Sequence, residues 1–258
     1  DWTFLPSLRY DYIQLKPKLT EEFLNTTDPD RKFPHDDSNK TWHRFSPKLG
    51  VTYALTEQYT WFGQYAEGFR TPSAKALYGR FENLDVGYVV EPNSNLKPET
   101  SKSYETGIRG NFDAGNFDVA VFYNKYRDFI DEDNAALGPS GTIFQPGNIK
   151  RATIKGMEVK GRLNLDAFGA PQGLYTKGAI AYAHGRNDET GQPLNSVNPL
   201  KGVFGLGYDQ DNYGALVSWT LVKQQNRVDS TTFFAPDGIT ANGPFKTPGF
   251  GIVDLTGF

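Results

Sequence analysis

Residues 59–112 read YTWFGQYAEGFRTPSAKALYGRFENLDVGYVVEPNSNLKPETSKSYETGIRGNF. Two strand-like ends, YTWFGQYAEG (59–68) and SYETGIRGNF (103–112), enclose a connection from Gly68 to Glu99 that is bounded by two turn-rich segments, FRTPS and NSNLKPE. Hairpin loops ordinarily hold about two to five residues. A connection this long in a regular antiparallel protein points to function, because loops on a rigid scaffold carry binding.

The same rhythm extends in both directions. Strand-like segments cover 2–13, 43–55, 59–68, 102–112, 117–130, 153–165, 174–183, 200–209 and 213–223, and a tenth begins at Phe250. Short turns (TEQ, DAGN, DAFGAPQG, QDN) follow the second, fourth, sixth and eighth strands, and long loops follow the odd ones. An up-and-down barrel with periplasmic turns and extracellular loops has this alternation. A soluble sandwich has less reason to keep it. Side chains alternate with period two. In the fourth strand Tyr104, Thr106, Ile108, Gly110 and Phe112 share one face, and Glu105, Gly107, Arg109 and Asn111 the other. Tyr213, Ala215, Val217, Trp219 and Leu221 line one face of the ninth. Aromatics sit near strand ends, as a membrane girdle places them. Inward-facing Glu105 and Arg109 suit a polar lumen or a plug. The expected fold is all-β: a transmembrane antiparallel β-barrel, of which residues 1–258 form about ten strands. Long extracellular loops are expected near 14–42, 69–101, 131–152, 184–199 and 224–247.

Composition excludes several alternatives. The 258 residues include no Cys, one Met and three His, and the formal charge is −3. Without Cys there is neither a disulfide framework nor a thiolate metal site. The histidines show no HExxH spacing. A slightly acidic chain without a basic run is no nucleic-acid binder. No apolar run approaches the length of a transmembrane helix, but a barrel strand needs only about ten residues with one apolar face. The mean hydropathy of −0.55 suits a wet lumen and polar loops. No signal peptide is visible and Asp1 falls within strand-like sequence, so the chain reads as a fragment. It contains no nucleophile, base and orienter set and no phosphate loop. It does not read as an enzyme.

SLRYDY (7–12), FSPKLGVTYAL (45–55), YAEGFRTPS (65–73), NSNLKPETSKSYETGIRG (93–110) and GMEVKG (156–161) occur in this order. In these motifs, and over essentially its whole length, the chain resembles the C-terminal half of TonB-dependent outer-membrane receptors. The resemblance implies a 22-stranded barrel around an N-terminal plug. The plug, its TonB box, the first strands and the last one or two then lie outside this sequence. It also implies active import, powered through TonB of the TonB–ExbB–ExbD complex, in a membrane of outer-membrane lipid and lipopolysaccharide.

Phe69-Arg70-Thr71-Pro72 and Asn93-Ser94-Asn95-Leu96 resemble the boxes that bracket the haem-binding loop of haem and haemoglobin receptors. Siderophore receptors share both boxes, so a ferric siderophore is the alternative ligand, and a passive porin or a barrel enzyme is a further one. Haem receptors usually place a histidine between the boxes, whereas this chain has none between Gly68 and Glu99 and carries Tyr78 and Tyr88 instead. Tyrosinate can hold ferric haem axially. Tyr88 is the first candidate and Tyr78 the second, for haem carried as transported ligand rather than intrinsic cofactor. The blander alternatives are that Tyr78 packs a short helical turn in SAKALYG and that Tyr88 belongs to an aromatic rim. Arg70 and Arg80 could meet haem propionates or carboxylates of the loop itself, and a structural ion pair is the better reading of Arg70. Pro72, Pro92 and Pro98 restrict the loop stems, and Asn93 and Asn95 shape the turn before the fourth strand. His35, His43 and His184 border long loops. Phe23, Trp42, Phe81, Phe144, Phe233 and Phe234 lie in or beside such loops, where they could touch a ligand or pack the loops together.

Overall fold

The computed structural model describes residues 1–18, 38–83, 87–132, 135–138, 141–229, 233–234, 241–242 and 246–258, with backbone alone at 135–138, 141–142, 233–234 and 241–242. In chain order the strands are β1 (Trp2–Leu15), β2 (Lys40–Ala54), β3 (Tyr59–Arg70), β4 (Phe81–Asn83), β5 (Tyr88–Val90), β6 (Glu99–Phe112), β7 (Gly115–Asp131) and β8 (Ala135–Gly138). They continue with β9 (Gly141–Phe144), β10 (Gly147–Asn164), β11 (Leu174–Asn187), β12 (Lys201–Gln210), β13 (Tyr213–Val222), β14 (Phe233–Phe234), β15 (Ala241–Asn242) and β16 (Phe250–Gly257). Among the described residues a short α-helix, α1 (Ala74–Tyr78), lies between β3 and β4, and a 3-10 turn (Leu165–Phe168) follows β10.

All ten expected strands are present, joined in one sheet of order β1-β2-β3-β6-β7-β10-β11-β12-β13-β16. Every neighbouring pair is antiparallel. β1 and β16 are its outer strands and do not pair with each other. Several strands run further than the side-chain pattern indicates. β10 starts at Gly147 rather than 153, and β11 continues to Asn187 rather than 183. The apolar alternation stops where a strand leaves hydrocarbon, but backbone pairing continues as long as the neighbour offers partners.

Register decides which side chains share a face. One rung crosses the whole sheet as Trp2, Tyr53, Trp61, Ile108, Val119, Val159, Ile180, Gly202, Leu221 and Gly251. Every member is aromatic, aliphatic or glycine, and Trp2, Ile108 and Ile180 remain well exposed. An exposed apolar face of this extent marks a membrane-facing surface. Two threonine hydroxyls on this face are internally satisfied: Thr106 donates to the Phe62 carbonyl at 2.9 Å and Thr176 to that of Gly205 at 3.0 Å.

The opposite face is polar, and the rung Thr60, Arg109, Asp118, Lys160, Ala179 lies on it. Aromatic rings on this face lie across glycines of the next strand. A Cβ on Gly107 would stand 2.6 Å from the Phe62 ring and 2.1 Å from the Val119 carbonyl oxygen, and Gly156 and Gly207 seat Phe122 and Tyr175 in the same way. Such ring-over-glycine contacts protect backbone and hold register.

Two long connections fold back over the polar face at one end of the sheet. α1 brings Ala76 and Leu77 onto Leu96, and Leu15, Trp42 and Tyr78 pack around them. Further along the sheet, Leu194 and Val197 cover Ala152, with Tyr126, Ile154 and Ala183 alongside. These two buried clusters therefore lie under the loops, while Phe62, Ala120 and Tyr175 are buried among neighbouring side chains on the sheet itself.

A Gly107→Val substitution is expected to destabilise the protein by about 1–3 kcal/mol or more through overpacking. A urea midpoint followed by heat-modifiable gel mobility measures this. Gly178→Ala, whose new Cβ would meet nothing closer than 3.4 Å, is expected to stay within about 0.5 kcal/mol.

Candidate functional site

The long connection between β3 and β6 is built from its stems inward. Arg70 and Glu99 are register partners at the last rung of the two strands. Glu99 is buried, 8% exposed, and its Oε2 accepts from Arg70 Nη2 at 2.8 Å and from the Ile130 backbone N–H at 3.0 Å. Arg70 also donates to the Ile130 carbonyl at 3.3 Å. One carboxylate thus ties together both ends of the loop and the end of β7. Charge-assisted bonds of this kind are the stronger ones.

Just past the stem, Pro72 is buried and Ser73 caps α1, its hydroxyl accepting from the Ala76 N–H at 3.1 Å. Serine at this position satisfies an otherwise orphaned helical donor. Asn93 then fastens the returning chain. Its N–H donates to the Ala76 carbonyl at 2.9 Å, its Nδ2 to the Pro146 carbonyl at 2.9 Å, and its Oδ1 accepts from the Asn95 N–H at 3.0 Å. Asn148, at the start of β10, holds the same segment. It accepts from the Lys97 N–H at 2.8 Å and donates to the carbonyls of Lys97 and Asp128 at 3.0 and 2.8 Å. Asp128 adopts φ 51°, a left-handed conformation uncommon outside glycine.

Between these fastenings lies a small sheet of order β4-β5-β9-β8. β5 belongs to the connection after β3 and β9 to the connection after β7, and the two pair in parallel, Tyr88 to Thr142 and Val90 to Phe144. The Glu91 N–H extends the link to the Phe144 carbonyl at 2.8 Å. Two loops far apart in sequence therefore form one hydrogen-bonded platform.

On this platform Tyr88 sits between two rings, with Phe81 at 6.0 Å and Phe144 at 5.9 Å between centroids, the latter edge-on. Tyr88 is half-buried and Phe81 half-exposed. The Tyr88 hydroxyl has no hydrogen bond among the described residues. Tyr78 differs: it packs on the α1 cluster and donates its hydroxyl to the Ser38 carbonyl at 3.1 Å. Arg80 is paired within its own loop, with Glu82 and with Glu91 at 3.0 Å. Burial pulls its pKa down, but the hydrogen bonds and charges of Glu91 and Glu82 outweigh that, so it lies above the ordinary arginine value.

The structure thus gathers Tyr88, Phe81 and Phe144, and engages Tyr78, Arg70 and Arg80 through other partners. Trp42 packs against α1. His43 is exposed opposite Tyr12, and His184 lies beside Lys155. His35, Phe23 and the side chains of Phe233 and Phe234 lie outside the described residues. Among the described residues no three His, Cys, Asp or Glu side chains converge as a metal site. The structure adds two residues that sequence reasoning did not single out, Glu99 and Asn148. The NLKPE box contains Glu99, but no local pattern announces that its carboxylate reaches Ile130.

Glu99→Ala is expected to loosen the stem by about 1–3 kcal/mol, because it leaves the buried Ile130 N–H without an acceptor. Amide exchange at Ile130 and protease cleavage within 71–98 should both accelerate, and Glu99→Gln, which keeps an acceptor, should do less. Unchanged exchange in Glu99→Ala would show that this junction does not brace the loop.

Residues 1–258 match the TonB dependent receptor-like β-barrel family. Hemoglobin-haptoglobin utilization protein B of Neisseria meningitidis serogroup A is 31% identical over 223 residues, covering 78% of this chain and 27% of its own length. A probable hemoglobin and hemoglobin-haptoglobin-binding protein 4 of Haemophilus influenzae is 32% identical over 210 residues, covering 76% of the chain and 21% of its own length. The chain thus spans about a quarter of these curated relatives. Among solved structures, the copper transporter OprC superposes over 99% of this chain and 36% of its own, with TM-score 0.75 at 21% identity. The FrpB iron transporter of Neisseria meningitidis covers 100% and 36%, with TM-score 0.60 at 15% identity. These two likenesses concern the fold. With the membrane-facing register of its ten strands, the chain belongs to the TonB-dependent receptors, non-catalytic β-barrel proteins of the outer membrane.

Proposed function

We propose that this barrel part serves a receptor that captures haem, free or from a haemoprotein, at its long loops and imports it with energy delivered by TonB. On this reading the loops face the exterior, the remaining strands close a 22-stranded barrel, and a plug fills the lumen until TonB displaces it. The observation that carries the proposal is the Tyr88 phenol, which has no hydrogen bond among the described residues and sits between Phe81 and Phe144 on a platform braced by two loops. A tyrosinate oxygen is a competent axial ligand for ferric haem, and flanking rings suit a flat apolar macrocycle. The curated relatives are named for haemoglobin and haemoglobin–haptoglobin, which favours haem over a ferric siderophore.

Tyr78 is the weaker candidate, because its hydroxyl is already donated to Ser38 and its ring helps pack α1. Arg70 and Arg80, each satisfied by a carboxylate within the protein, brace the site rather than meet propionates.

Full-length receptor titrated with hemin should develop a Soret band. Tyr88→Phe should shift that band and weaken binding by about tenfold or more, the equivalent of about 1.4 kcal/mol, whereas Tyr78→Phe should leave the spectrum intact. Unchanged affinity and spectrum in both variants would overturn tyrosine ligation.

A further inference from the structure

A recess at the loop end shares no lining residue with the Tyr88 platform. The end of β7, the start of β10 and the connection after β11 wall it, and its volume is about 350 Å³. That is the small end of the usual range for ligand sites, about 300–1,000 Å³. Its wall is preformed. The Asn187 N–H donates to the Gln192 carbonyl at 2.8 Å and the Gly191 N–H to the Asn187 carbonyl at 2.9 Å, which closes a tight turn after β11. Gly191 takes φ 76°, a conformation open to glycine. Leu194, 4% exposed, pins the returning chain onto Ala152.

The lining decides the chemistry. It carries Asp131, Glu189 and Asp229 and, among the described residues, no Lys, Arg or His. A propionate or phosphate would meet no positive charge there. A metal ion is not served either, since among the described residues no three acidic or histidine side chains converge. The recess offers neutral donors beside acceptors. Asn187 Oδ1 accepts from the Glu189 and Thr190 N–H groups at 2.9 and 3.4 Å, and Asn195 Oδ1 from the Asp229 N–H at 2.9 Å. The Nδ2 groups of both asparagines, the Gln192 side-chain amide and the Ser196 hydroxyl make no hydrogen bond among the described residues. The half-buried Phe129 ring, with Pro193 and Leu194, adds apolar surface.

A ligand that matches this lining bears hydroxyls, each of which donates to a carboxylate or amide oxygen while accepting from an amide N–H. It also has an apolar C–H face and no charge. We propose that this recess binds a neutral sugar ring, carried by a free saccharide or by the glycan of a protein. Hydroxyls on the sugar meet the amides of Asn187, Asn195 and Gln192, and its C–H face lies toward Phe129. The site is separate from Tyr88, so it stands or falls independently of the haem reading.

The test uses the full-length receptor and saturation-transfer NMR with the methyl glycosides of glucose, galactose, mannose and N-acetylglucosamine, and with glucuronic acid as the charged counterpart. At least one neutral glycoside should receive transfer, and glucuronic acid should not. Asn187→Asp and Asn195→Asp keep the Oδ1 acceptors that hold the turns and replace only the free donors. Each should weaken binding about three- to tenfold with heat-modifiable gel mobility retained. Capture of a glycoprotein before and after enzymatic removal of its neutral glycans separates the two sources. Capture lost on deglycosylation identifies a glycan, and transfer to free glycosides without glycoprotein capture identifies a free saccharide. Transfer to none of the four glycosides, equal transfer to glucuronic acid, or unchanged affinity in both asparagine variants would overturn the site. So would loss of transfer in Tyr88→Phe, which would put the sugar on the platform instead.

Discussion

A chain crossing hydrocarbon has to pair every backbone N–H and C=O within the protein, because each orphaned group costs several kcal/mol where no water can replace the partner. The ten-strand ladder answers that requirement, and most other features follow from it. A continuous ladder imposes a period of two, so one face must suit lipid and the other water. The rung from Trp2 to Gly251 is the lipid answer, and the rung through Arg109, Asp118 and Lys160 is the aqueous one. On the lipid face the threonine hydroxyls of Thr106 and Thr176 bond to carbonyls of neighbouring strands.

The loops work under a different constraint. Above the ladder no apolar medium orders the chain, so the connections must supply their own core and their own fastenings. They do this by folding over the polar face: α1 and Leu96 on one side, Leu194 and Val197 on another. Glu99 is the junction between the two regimes. It is the first residue of β6, yet its carboxylate serves Arg70 at the end of β3 and the Ile130 amide at the end of β7. The loop platform above it inherits that rigidity. Because β5 and β9 pair directly, a displacement of one connection pulls on the other, and a ligand held at Tyr88 would be felt by both.

Binding residues at a barrel mouth face competing demands. An arginine or tyrosine can hold a ligand only if it is not already holding the loop. Arg70, Arg80 and Tyr78 are engaged by Glu99, by Glu82 and Glu91, and by Ser38 respectively. Tyr88 is not, and it is the candidate that the loop architecture presents.

The sequence by itself determined the ten strands, their alternation of short and long connections, the apolar and polar faces, and the family. All of these are local or periodic: each strand's face can be read from its own ten or so residues, because the pleat has a period of two wherever the strand lies. It also located the candidate loop and its tyrosines, and the helical turn in SAKALYG. Only the tertiary structure shows how the surroundings of those tyrosines differ: a carbonyl forty residues away engages Tyr78, and two rings, one of them in another loop, flank Tyr88. The parallel pairing of β5 with β9 rests on three-residue strands, too short to carry a readable period. The reach of Glu99 to Ile130 and of Asn148 to Lys97 is likewise a matter of which strand ends the sheet brings side by side, and no stretch of the chain holds both partners.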